Sequence, residues 1–251
     1  MGMLARGVCG ALMLSFLLAA APSTQPATTQ ASSDSQQILT TQERQKAMAK
    51  WFAALSHADP REREAASRSL LTLEREDLPA LHKLIEDSQP LSPSQTAALH
   101  DIVVHVFLSG EDYIRSNKGF LGVHLATSYA SVAVEGNEEE TQPMRGAIIV
   151  DRVPGFAGYR AFQDGDVVLS IKERPDVTIQ SKEDLQAIVM SSPSGTVLHM
   201  QVVRKMREME LTITLDARPE GDVEEETNIR EKEGEEYWQQ EFAPLVKGGL
   251  W

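Results

Sequence analysis

Gly119-Phe120-Leu121-Gly122-Val123-His124-Leu125 is the stretch from which the fold is read. It is a glycine-containing loop running into a strand, a place where successive backbone N–H groups can converge on a carboxylate. Farther along, Val153-Pro154-Gly155 reads as a turn, and Gln163-Asp164-Gly165-Asp166 delivers the chain into the apolar run Val167-Val168-Leu169-Ser170-Ile171, a buried strand. Residues 146–150, 196–203 and 208–215 are β-branched and partly alternating, with turn chemistry at Arg174-Pro175 and Ser194-Gly195 between them. One helix interrupts these strands; Ser181 with Asp184 caps it, and Leu185, Ile188 and Val189 lie on one side. A small, partly open β-barrel with one main flanking helix is expected over residues 117–217.

Upstream the spacing is helical. Thr40 with Glu43, Asp59 with Pro60 and Glu62, Asp77 before Leu78-Pro79, and Ser92 with Pro93 and Gln95 are N-terminal signatures, each able to satisfy an orphaned N–H. Apolar residues recur at three and four: Trp51, Ala54 and Leu55; Ala66, Leu70 and Leu73; Leu78, Leu81 and Ile85; Leu99, Ile102, Val103 and Val106. Residues 40–110 therefore read as a small N-terminal α-helical bundle of short helices paired as hairpins. The class is α+β.

Both ends differ from these cores. Residues 1–21 hold Arg6, an apolar run and a close on Ala19-Ala20-Ala21, the anatomy of a secretory signal peptide and shorter than a membrane span. Pro22 would follow a cut after Ala21, so the cut falls nearby or the segment persists as an anchor. Residues 22–39, rich in Pro, Ser, Thr, Gln and Ala, read as a flexible linker. Residues 218–251 open with a run of acid and read as a solvated, disordered tail that ends apolar, with Leu250-Trp251 last.

Composition narrows the function. A net charge of -13 argues against nucleic acid and anionic membranes, because every phosphate contact needs a cation. Cys9, the one cysteine, lies in the signal segment, so a mature chain would have no disulfide framework or thiolate metal site. His57, His82, His100, His105, His124 and His199 show no His-Glu-x-x-His spacing, and there is no Gly-x-Ser-x-Gly elbow. His100 and His105 point to different faces of one helix and read as packing or surface residues. No catalytic residue, metal or cofactor is expected.

The order of these features over residues 117–216 resembles a PDZ domain of the bacterial envelope type, as found in trypsin-like proteases of the HtrA family. The resemblance implies that N–H groups of Leu121, Gly122 and Val123 hold a ligand's terminal carboxylate, with Gly122 allowing close approach. It implies that the strand from Val123 through Leu125 to Thr127 pairs with the ligand backbone, that Leu185, Ile188 and Val189 form the opposite wall, and that Phe120 caps the pocket for the last side chain. His124 would lie beside the groove, placed to read a ligand hydroxyl. Two segments depart from the pattern: Phe156-Ala157-Gly158-Tyr159-Arg160-Ala161 is bulkier than the usual small-residue helix, and Glu135-Gly136-Asn137-Glu138-Glu139-Glu140 is an acidic insertion, read as a solvated loop. The N-terminal helices resemble HEAT-like repeats in Asp59-Pro60, Arg63, Ala66 and Leu70.

The expected function is an exported, non-enzymatic adaptor that captures protein C-termini or extended peptides by strand addition. Its ligand includes, as one candidate, its own tail ending in Leu250-Trp251; membrane contact is expected only if the signal segment is retained. The alternatives are a regulatory subunit of an envelope protease, a structural protein with no open groove, and an enzyme of unrecognised class.

Overall fold

The computed structural model describes residues 30–110, 113–134 and 137–247. Residues 1–21, expected to be a signal peptide, and the tail residues Leu250 and Trp251 lie outside the described residues. The chain divides into two units, 1–42 and 43–251, the second of which contains both sheets. No helix among the described residues is long and apolar enough to cross a membrane.

Helix α1 (Gln30–Ala54) begins inside the stretch expected to be a linker. No proline or glycine interrupts it, so the helix start expected at Thr40 is simply helix interior. Helix α2 (Pro60–Leu70) starts where the sequence places it: the Asp59 carboxylate accepts the Arg61 N–H, and Pro60 occupies the first turn, where a missing N–H costs nothing. Helix α3 (Leu78–Asp87) does not use Asp77 as expected. Asp77 instead accepts the Glu74 N–H across the preceding 3₁₀ turn and pairs with Arg44. Helix α4 (Pro93–Leu108) carries the expected box, with Ser92 and Gln95 exchanging side-chain-to-backbone hydrogen bonds.

These helices share one hydrophobic core, in which Phe52, Leu55, Leu70, Leu81, Ile85, Leu99 and Val103 are buried. That core is completed from the far end of the chain. The acidic segment expected to be disordered forms helix α7 (Val223–Tyr237), continues through a π-helical turn (Trp238–Phe242) and ends in helix α8 (Ala243–Lys247). Acid favours a helix start: Asp222 accepts the Glu224 and Glu225 N–H groups, and Glu224, Glu225 and Glu226 sit at the positive end of the helix dipole. Burial then holds the helix in place, because Trp238, Phe242 and Ala243 enter the helical core.

Between α4 and α7 lie the strands, in two antiparallel sheets rather than a closed barrel. Strand β1 (Arg115–Phe120) pairs with β7 (Asp216–Pro219), while β2 (Val123–Val134), β3 (Asn137–Arg152), β4 (Val167–Ile171), β5 (Val197–Arg204) and β6 (Arg207–Thr214) form the larger sheet in sequence order. Helix α5 (Ala157–Ala161) follows β3, and α6 (Lys182–Ser191) lies between β4 and β5. Of the acidic insertion expected to be a solvated loop, residues 137–140 belong instead to β3, which continues the long β2–β3 ladder. The β5–β6 turn uses Lys205 and Met206 at φ 51 and 66, backbone angles that match the twist of a tight hairpin.

A second core joins the large sheet to α6, with Leu121, Ile149, Val168, Leu185, Leu198 and Met200 buried. The Asp-Gly-Asp turn ends in a buried ion pair: the Asp166 carboxylate receives Arg204 Nε at 2.9 Å and a second guanidinium N–H at 2.6 Å. Arg204 also donates to the Ala161 carbonyl, and Asp166 accepts the Gln163 N–H, so neither charge is left unsatisfied.

Candidate functional site

Strand β2 is an edge. It pairs with β3 on one side, and β1, which precedes it in the chain, turns away to β7. The turn lies at Leu121-Gly122, with Gly122 at φ +66. Two carbonyls are anchored inward there. Leu121 C=O accepts the Gly158 N–H at 2.9 Å, and Gly122 C=O accepts the Val153 N–H at 2.8 Å. In a trans peptide the N–H points opposite to its C=O, so the N–H groups of Gly122 and Val123 are directed away from these anchors. The ladder agrees for Val123, whose pairing with Arg152 is of the non-hydrogen-bonded kind. Among the described residues, no acceptor takes the N–H of Leu121 or Gly122.

The turn opens onto a cavity of about 270 Å³ lined by Phe120, Leu121, Gly122, Val123 and Leu125 on one side. Leu185, Gln186, Val189 and Met190 of α6 form the opposite wall. Helix α6 is set by the Ser181–Asp184 box, in which Asp184 accepts the Gln180 N–H, the Ser181 hydroxyl and the Ser181 N–H and is held below the usual carboxylate range by them. At the far end of the groove, Thr127 Oγ1 accepts the Lys182 N–H at 3.1 Å, tying β2 to the start of α6.

Of the residues expected at the site, Phe120, Leu121, Gly122, Val123, Leu125, Leu185 and Val189 are brought together. Two are not. Ile188 is buried in the sheet core, because a residue three on from Leu185 also faces the sheet and the wall positions are 185, 186, 189 and 190. His124 is exposed and does not line the cavity, since strand alternation turns it away from Val123 and Leu125. The carboxyl of Glu231 on α7 is pushed up by burial and by Asp151, with His124 opposing.

The glycines have structural causes of their own. A Cβ on Gly119 would come within 2.5 Å of Leu215 and 2.7 Å of the Val189 carbonyl, and its N–H donates to Ser192 C=O at 2.7 Å. A Cβ on Gly122 would lie 2.3 Å from Phe156, so the close approach at this glycine is by the protein's own aromatic side chain. That ring stacks edge-on against Phe120 at 4.9 Å. The bulky segment after Pro154-Gly155 is thus the support of the loop.

Two lining residues lie beyond the range read as the strand domain: Arg218 on β7 and Val223 at the start of α7. Register places β7 beside the loop, with Ala217 opposite Gly119 and Asp216 opposite Phe120. Asp216 accepts the Ala157 N–H, and burial raises its pKa against that bond and the nearby Arg160 and Arg230. No signal near residue 119 points to residue 218; only the pairing of the two short strands unites them.

The site is also tied to the helical core. Arg230 of α7 is buried, donates to the Leu108 carbonyl, and holds its guanidinium 4.5 Å from the Tyr113 ring and 5.3 Å from Phe156. His105 of α4 is fully buried, accepts the Gly155 N–H at Nδ1 (3.0 Å) and stacks on Tyr159. Burial, reinforced by Arg160 and Arg152, pulls its pKa down to about 3, against a hydrogen bond to the Leu71 carbonyl. Among the residues whose side chains are described, no group of histidine, cysteine and carboxylates could hold a metal ion.

No protein-family model matches the chain, and no curated protein matches it. Among matching solved structures is the HtrA-type protease AlgW with a decapeptide. It aligns at 20% identity over 41% of this chain and 30% of that one, with a TM-score of 0.30. The match therefore spans less than a third of that protein's length.

Proposed function

We propose that this protein is a non-enzymatic peptide-binding adaptor of PDZ type that takes protein C-termini or extended segments by strand addition. The observation that supports it most is the edge of β2: N–H groups of Gly122 and Val123 face outward beside an apolar cavity, opposite a helix wall. A guest strand would supply acceptors for those N–H groups, and its last side chain would fill the space between Leu125, Leu185 and Val189. The apolar run at residues 8–21 supports an exported location.

The test is capture by the full chain from a random heptapeptide library displayed with free carboxyl ends. Saturable capture of a defined subset is the expected result. Failure to enrich any sequence, with the protein folded, rejects the adaptor reading.

A further inference from the structure

We infer, on the adaptor reading, that the contact between Thr127 and Lys182 ends the groove, so that a guest is held as an added strand over only about three residues. Val123 and Leu125 line the cavity, and strand alternation brings Thr127 to the same face. There Thr127 Oγ1 accepts the Lys182 N–H at 3.1 Å. Lys182 is the first residue of α6, and its N–H is one of those a helix leaves without an intrahelical partner. An added strand would lie about 4.8 Å from β2 and carry side chains of its own toward α6. A single hydrogen bond across that gap leaves room for neither.

Both sides of the contact are anchored. Thr127 stands opposite Ala147 in the β2–β3 ladder, and Ala147 is fully buried and paired in turn with Val168. The start of α6 is fixed by the Ser181–Asp184 box, and Leu185 and Ile188 seat the helix in the sheet core. The cavity stops where the contact begins: its walls are Val123 and Leu125 on β2 and residues from Leu185 onward on α6, with neither Thr127 nor Lys182 among them. Strand length is not the limit, because β2 runs on to Val134. A longer guest therefore has to displace the Thr127 hydroxyl from Lys182.

The commonest heptapeptide captured from the free-carboxyl library is synthesised as the free acid, together with a four-residue form shortened from its amino end. Each is titrated by fluorescence anisotropy against the full-length protein and its T127V and T127S variants. Wild type is expected to bind the two lengths within about three-fold, since the added residues gain no backbone hydrogen bond. T127V keeps the shape but lacks the acceptor; it is expected to bind the heptapeptide at least about five-fold tighter than wild type does, and the short form unchanged. T127S keeps the acceptor and is expected to behave as wild type. If wild type gains more than that three-fold from the longer peptide, or if T127V leaves the heptapeptide affinity where it was, the contact does not end the groove, although peptide capture stands. If the library yields nothing, the adaptor reading fails and the groove limit with it. Equal thermal midpoints for the three proteins exclude misfolding. Should T127V be destabilised, the ratio of the two peptides within that variant decides, and a ratio no larger than that of wild type overturns the inference.

Discussion

Phe156 occupies the volume that a side chain at residue 122 would need: a Cβ on Gly122 would stand 2.3 Å from Phe156 Cβ. The same glycine has φ +66, which L side chains adopt only with strain. Gly122→Ala is therefore expected to lower stability by about 2–4 kcal/mol through strain and overpacking together. It should also abolish peptide capture by moving the loop. Urea unfolding checks the first point and anisotropy the second. A G122A protein of wild-type stability would show that the loop is not wedged against Phe156.

His105 predicts an acid-sensitive junction between the helical core and the Pro154-Gly155 turn. Its folded pKa, about 3, is below the ordinary value of 6.5, so the unfolded chain takes up the proton first. Its contribution is complete above pH 6.5 and is lost as pH falls toward the folded value. Between pH 7 and pH 5 the wild-type advantage over H105Q should shrink by about 2 kcal/mol. A stability difference that does not change with pH would mean that His105 is protonated inside the fold.

Asp166 and Arg204 form a paired charge whose separation should be costly. R204M alone is expected to destabilise by about 3–5 kcal/mol, since it strands a buried carboxylate. The double variant D166N/R204M should cost clearly less than the sum of the two single changes. Additive costs in chemical denaturation would show that the two side chains act independently.

Phe242 is fully buried although it belongs to the stretch whose composition reads as a solvated tail. F242A is expected to cost about 3–5 kcal/mol and to expose residues 223–247 to limited proteolysis. If stability is unaffected and wild type is already clipped there, the segment does not complete the helical core.

Features encoded locally are the ones legible in the sequence. The boxes at Ser92–Gln95 and Ser181–Asp184, the cap at Asp59 and the run into β4 depend on residues a few positions apart, and each lies where its spacing puts it. The loop and most of the groove are legible for the same reason. Contacts between distant segments are not. Arg230 meets the carbonyl of Leu108, 122 residues away, and Arg218 reaches the loop only through the β1–β7 pairing. The Lys205-Met206 turn lacks the Gly or Asn that normally marks positive φ. In the acidic run charge dominates the reading, whereas Trp238 and Phe242, four apart, are the helical signal within the same stretch.

If the N–H groups of Gly122 and Val123 receive the end of a guest chain, their exchange with solvent must slow when the guest is bound. Amide exchange at single-residue resolution, with and without the captured free-acid peptide, reads this without an intermediary. Protection at Gly122, Val123 and the outward-facing N–H groups of β2 is expected. Unchanged exchange there, with protection confined to another surface such as the outer face of α7, would place the guest elsewhere and overturn strand addition at β2.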